Sequence, residues 1–146
     1  MKRIISIFLV LMMVVTLLPM AVFADDADIA SGVFSKDEAI SWKISSDYTL
    51  TISGEGEMPY ECPWADYRAK ITSVVIEEGI TCVRDMEGMS GMKSVKLPNS
   101  LEAVAYYAFS ECTSLKSLVI PEGVTEIASV HSPVVQHLKV LFCRRA

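Results

Sequence analysis

Histidine is almost missing from this 146-residue chain: His131 and His137 are the only two, and both follow Ser129. The segment up to Ser129 therefore has no imidazole to activate a serine or cysteine nucleophile, and it lacks a common zinc ligand. Basic residues are also few, with 13 Lys and Arg against 18 Asp and Glu for a formal net charge of −5. Phosphate backbones are held by clustered basic surface, so nucleic acid is excluded as a partner. No basic amphipathic helix is present to hold the chain on anionic lipid. The four cysteines, Cys62, Cys82, Cys112 and Cys143, are spaced 20, 30 and 31 residues apart with no CxxC pair, which argues against a zinc ribbon and a thioredoxin-type site. G-x-S-x-G, Walker and G-x-G-x-x-G patterns are absent, and Gly54-Glu55-Gly56 alone is a turn signal. His131, His137 and Cys143 make no convincing metal set. The chain is expected to be no enzyme and to hold no cofactor or metal.

There is a single long apolar run, and it is too short for a membrane span. Ile4 to Leu18 is apolar except for Ser6 and Thr16, follows Lys2 and Arg3, and ends at Pro19 and the small-residue site Val22-Phe23-Ala24. A span needs about 20 apolar residues, whereas this three-part plan is that of a secretory signal peptide over residues 1–24, cleaved between Ala24 and Asp25. The exported part would keep 11 basic and all 18 acidic residues, a net charge of −7, and would have no membrane span. Asp25 to Ala146 suffices for one modest core and no second domain. An even cysteine count in an exported protein invites disulfides; the alternative is that each thiol is a small buried hydrophobe. Asp25, Asp26 and Asp28 lack the spacing of a calcium loop and read as a solvated new N-terminus.

What is abundant after residue 70 is self-similarity. KITSVVIEEGITCV (Lys70–Val83), MKSVKLPNSLEAV (Met92–Val104) and LKSLVIPEGVTEI (Leu115–Ile127) superpose with steps of 21 and 23 residues. The matched apolar columns are Val74, Val95 and Leu118; Ile76, Leu97 and Ile120; Ile80, Leu101 and Val124; Val83, Val104 and Ile127. Such a period belongs to stacked coils, each burying its apolar edge on its neighbours. Leu118-x-Ile120 alternates as a short strand, and Pro121-Glu122-Gly123 ends it in a turn. Gly79 and Gly123 share that column, but Ser100 replaces glycine in the middle coil, which predicts a different turn geometry or strain there. Before the coils, Trp42 and Ile44 alternate, then Leu50 and Ile52, around the turn-prone Ser45-Ser46-Asp47, so a hairpin is predicted whose apolar face covers the first coil.

The pattern L-x-S-(V/L)-x-(I/L)-P-x-G-V-x-x-I-x-x-x-A-F-x-x-C-x-x-L resembles the BspA-type leucine-rich repeat of bacterial surface proteins. The fullest copy runs from Leu97 to Ile120 and includes Ala108, Phe109, Cys112 and Leu115. Trp42-Lys43-Ile44, Leu50 to Pro59 and Pro63-Trp64 are similar to the strand-pair cap that opens many such solenoids, so the resemblance spans about Ser41 to Ser129. It departs in the first coil, where Arg84 to Met92 is two residues short of the A-F-x-x-C-x-x-L half and methionines are expected to fill the gap. The resemblance implies a mainly β, right-handed leucine-rich-repeat solenoid with an N-terminal β-hairpin cap. It also places Cys112 in an apolar interior column, unsuited to a nucleophile.

After Ser129 the segment VHSPVVQHLKVLFCRRA shows no repeat column. Reading each codon boundary there one nucleotide earlier permits A-F-S-x-C-x-x-L-K-S-L-(V/I)-L-P-E-G, which aligns column by column with Ala108 to Gly123. One nucleotide missing near codons 128 to 129 would explain this. On that expectation residues 130–146 are an aberrant tail, the chain is a truncated solenoid, and Leu118, Ile120, Val124 and Ile127 lose their cover. The expected plan is then a signal peptide at 1–24, an N-terminal segment with the capping hairpin at 25–70, repeats at 71–129 and the tail at 130–146.

The resemblance implies a secreted or cell-surface protein-binding module of the adhesion type, meeting a protein of a host matrix or a cell surface. The alternative is a passive repeat spacer or a fragment of a larger surface protein with a separate anchor or enzyme domain. Tyr106 and Tyr107 precede Ala108, and one of two adjacent aromatics should face outward. They are the candidate partner contacts, against a role as partly covered packing residues.

Overall fold

The computed structural model describes residues 28–34, 39–128 and 139–142. The leader, Asp25, Asp26, His131, His137 and Cys143 lie outside them. The strands are β1 (Ala30–Val33), β2 (Ser41–Ile44), β3 (Thr49–Ser53), β4 (Gly56–Glu57), β5 (Ser73–Ile76), β6 (Ile80–Val83), β7 (Ser94–Lys96), β8 (Ala103–Val104), β9 (Ser117–Ile120), β10 (Glu126–Ile127) and β11 (Lys139–Phe142). A short 3-10 turn, Ala65–Tyr67, sits between β4 and β5, and no α-helix occurs among the described residues. The protein is mainly β. Each coil sends one strand to each of two faces, giving a β-solenoid of three turns built from the pairs β5/β6, β7/β8 and β9/β10.

One face carries the sheet β1-β2-β3-β5-β7 and, beyond a break in the ladder, the pair β9-β11; the other carries β4-β6-β8-β10. Stacked coils make parallel pairs, and β5–β7, β6–β8 and β8–β10 are parallel with equivalent repeat residues opposite each other: Val74 with Val95, Val83 with Val104, Val104 with Ile127. The β2–β3 hairpin is antiparallel, Trp42 opposite Ile52 and Ile44 opposite Leu50, and β3 then pairs parallel with β5. Its loop is tied by Asp47, whose carboxylate accepts from Ser45 Oγ at 2.6 Å and from Thr49 N at 3.0 Å. Behind the hairpin, fully buried Trp64 meets Phe34 and Trp42 edge-on, with centroids 5.7 and 6.2 Å apart.

Period-2 alternation puts Val74, Ile76, Leu118 and Ile120 in the core. Val95 and Leu97 complete the two columns but are half-buried; they flank the junction where β7 and β9 are not bridged. In the shortened half of the first coil, Met86, Met89 and Met92 are all fully buried, so flexible thioether chains do fill the gap. The middle turn is not strained. Ser100 keeps a negative φ, and its hydroxyl accepts from Gly79 N and donates to Ile80 O, both at 2.9 Å. The two glycines of that column also differ. Gly79 takes φ +105, whereas Gly123 has no such conformation and is only crowded, since a Cβ would meet Asn99 O and Leu101 O at 3.2 Å.

The end of the described chain corrects one expectation, that Leu118 and Ile120 lose their cover. Lys139–Phe142 pair parallel with β9, Val140 opposite Leu118 and Phe142 opposite Ile120. Strand starts on this face fall at 73, 94, 117 and 139, steps of 21, 23 and 22. Leu118 and Ile120 are buried and do not face water. On the other face β10 is the last strand of its sheet among the described residues, Val124 is half-buried and Ile127 is exposed.

Candidate functional site

Pleating of β4, β6, β8 and β10 turns one residue of each strand outward in a row: Glu57, Cys82, Ala103 and Glu126 stand opposite one another across the ladder. Two residues further on, the same face carries Arg84, Ala105 and Ala128, where Ala105 N and Ala128 N continue the ladder to Val83 O and Val104 O. Small side chains at 103, 105 and 128 leave a hollow, bounded on one side by Arg84, Glu57 and Tyr60 and on the other by Tyr106 and Glu126. The result is an open groove of about 300 Å³, at the small end of ligand sites and suited to one long side chain.

Arg84 is the centre of the first wall. Its Nη2 donates to Glu57 Oε2 at 2.9 Å and to Cys82 Sγ at 3.0 Å, and the guanidinium lies 4.3 Å from the centroid of the Tyr60 ring. Its side chain is only 12% exposed. Glu57 is mostly in water, so the pair adds little stability; it fixes the orientation of Arg84. Next along the chain, Asp85 has φ 61, and its Oδ2 is buried without a partner. Burial raises the pKa of its carboxyl, opposed by the nearby charges of Arg84 and Arg68. The groove thus holds three carboxylates, Glu57, Asp85 and Glu126, against one guanidinium. Its surface is acidic.

Of the residues expected at a contact site, Tyr106 lines this groove and Tyr107 does not. Both are exposed, 65% and 54%, whereas alternation predicts that one of the two faces outward. The reason is the left-handed backbone of Tyr107, φ 57, which breaks the period-2 pattern at the turn. Their rings lie 6.4 Å apart. Sequence reasoning missed Tyr60, 75% exposed, together with Arg84 and Glu57. A tyrosine beside Pro59 and an arginine immediately after an apolar strand carry no motif, and only stacking of the coil on the segment before it brings them together.

The described cysteines, Cys62, Cys82 and Cys112, are free thiols. Cys112 is buried in the column expected for it and donates to Met86 O at 3.2 Å. Burial pushes its pKa up to about 11, so it stays protonated at neutral pH and is a poor nucleophile. Among the described residues no group of three His, Cys, Asp or Glu side chains is placed to hold a metal ion, and no helix is long and apolar enough to cross a membrane.

Residues 66–131 match the family described as the BspA type leucine rich repeat region, in six copies. A comparison with curated proteins gives no match. Among solved structures, a leucine-rich repeat protein from Eubacterium ventriosum is similar at 20% identity and a TM-score of 0.50, over 78% of this chain and 44% of that one. The T. pallidum leucine rich repeat protein is similar at 16% identity and a TM-score of 0.46, over 72% and 62%. One from Bacteroides capillosus gives 17% identity and 0.47, over 73% and 95%. This chain therefore spans less than two thirds of the length of the first two. At these identities the likeness is one of fold.

Proposed function

We propose, from the match of residues 66–131 to the BspA-type leucine-rich-repeat model, that this chain is a non-catalytic protein-binding module of the adhesion type, exported from the cell and acting outside it or at its surface. The observation that carries the reading is the groove on the β4-β6-β8-β10 face. Two exposed tyrosines, Tyr60 and Tyr106, and an oriented arginine stand just past the ends of β4, β8 and β6, and Tyr and Arg are the residue types that dominate binding energy at protein interfaces. The cationic start, apolar run and Val22-Phe23-Ala24 site support export. Surface plasmon resonance of the immobilised chain against purified matrix and cell-surface proteins tests the reading. At least one should bind saturably, and the Tyr60→Ala, Tyr106→Ala double variant should weaken it about tenfold or more. Absence of saturable binding across the panel, or binding unchanged in the double variant, overturns it. N-terminal sequencing of exported material should begin at Asp25; a start at Met1 would contradict the export reading.

A further inference from the structure

We infer that the groove is a seat for an arginine side chain supplied by the partner protein, between Tyr106 and Glu126 above Ala103 and Ala105. The inference deepens the protein-binding reading and rests on it. The molecule already shows how this face holds a guanidinium. Arg84 stacks on Tyr60 at 4.3 Å and is clamped by Glu57 at 2.9 Å. One coil later the position of Arg84 is taken by Ala105, and that of Cys82 by Ala103. The next wall again offers an exposed tyrosine and an exposed carboxylate, Tyr106 and Glu126, but among the described residues no cation lines the space between them. Glu126 has no ion-pair partner among the described residues. Three carboxylates around the groove against one arginine disfavour an anionic ligand. A planar guanidinium satisfies both walls, since it stacks on an aromatic face while donating in plane to a carboxylate. A lysine ammonium offers the charge without the plane.

Nuclear magnetic resonance titration of the full chain with N-acetyl-arginine amide tests this, with the uncharged isostere N-acetyl-citrulline amide as control. The arginine probe should shift the backbone amides of Ala103 to Tyr106 and Glu126 saturably, and the citrulline probe should bind at least about fivefold more weakly. Glu126→Gln and Tyr106→Ala should each weaken the arginine probe about three- to fivefold, the scale of an exposed cation–π or ion-pair contact. Tyr107→Ala, outside the groove, should leave it unchanged. Ala105→Arg, which supplies the guanidinium from within, should abolish binding; an unaltered amide spectrum away from the groove shows that this variant still folds. Equal shifts with both probes, full binding by Ala105→Arg, or capture of a neutral oligosaccharide indifferent to Glu126→Gln would overturn the assignment. If the probe fails while Tyr106→Ala still weakens a bound protein, only the arginine seat falls. If both fail, the protein-binding reading falls with it.

Discussion

At the residue scale, positions that share a repeat column are not under the same demand. Gly79 has φ +105 and a Cβ there would stand 2.4 Å from Gly54 O, a backbone atom that cannot give way cheaply. Gly79→Ala should therefore cost about 1 to 3 kcal/mol in a urea melt. Gly123 has ordinary φ, and although a Cβ there would also meet backbone oxygens, those of Asn99 and Leu101, the approach is longer at 3.2 Å and needs a shift of only a few tenths of an ångström. Gly123→Ala should change stability by less than about 1 kcal/mol, because the loss of unfolded-state entropy offsets the crowding. Equal costs at the two sites would show that the repeat column, and not local geometry, sets the requirement. Cys112 makes a pH-dependent case. Burial raises its thiol from 9.0 to about 11, so the folded state holds that proton more tightly than the unfolded state does. The contribution is complete below pH 9 and is lost as pH rises toward 11. Melts of the chain and of Cys112→Ala at pH 8 and pH 10 should diverge in slope, the variant losing less, and Cys112 should resist thiol reagents at pH 8 until the chain unfolds.

At the element scale, the ladder sets which side chains meet, and the half-coils between strands adjust their filling. The first coil lacks the Ala-Phe and Cys positions that the second supplies with Ala108, Phe109 and Cys112, and it closes with Met86, Met89 and Met92 instead. These side chains are fully buried, so Met89→Ala should cost about 2 to 5 kcal/mol, read as a lower urea midpoint. Met89→Leu, close in volume, should cost less than about 1.5 kcal/mol. If alanine proves as mild as leucine, the half-coil collapses around the gap and the methionines are not needed as filler. The repeat columns, the hairpin and the burial of Cys112 were legible from period-2 alternation and step length. The middle turn was only partly so. Ser100 in a glycine column suggested a different turn geometry or strain; the geometry does differ, and the Ser100 hydroxyl bridges Gly79 N and Ile80 O across the coil interface, a pairing between residues about 20 apart that no local rule contains.

At the scale of the whole molecule, stability depends on how the stack of coils ends. β11 pairs with β9 over four residues and leaves Leu118 and Ile120 in the core, while Ile127 on the other face stays 37% exposed. Removing everything after Ala128 should uncover the first two side chains, each worth roughly 1.5 to 3 kcal/mol when buried. That is a large share of a typical total of about 5 to 15 kcal/mol. The shortened chain should melt at clearly lower urea or aggregate, and an unchanged midpoint would mean that β11 contributes no cover.

The repeat period, the identity of the apolar columns, the strand–turn alternation within each coil and the acidic character of the chain were determined by sequence alone. Each of these is a matter of residue type at fixed spacing along one strand of chain. Tertiary structure alone decided what the coils make together. It put Tyr60 and Glu57 from the segment before the repeats and Arg84 from the first coil beside Tyr106 and Glu126 from later coils, turned both Tyr106 and Tyr107 outward, and placed residues 139–142 on β9. Those outcomes depend on register between strands and on single left-handed residues. Register is fixed by the sum of many stacking contacts across the ladder, so no one position in the sequence announces it.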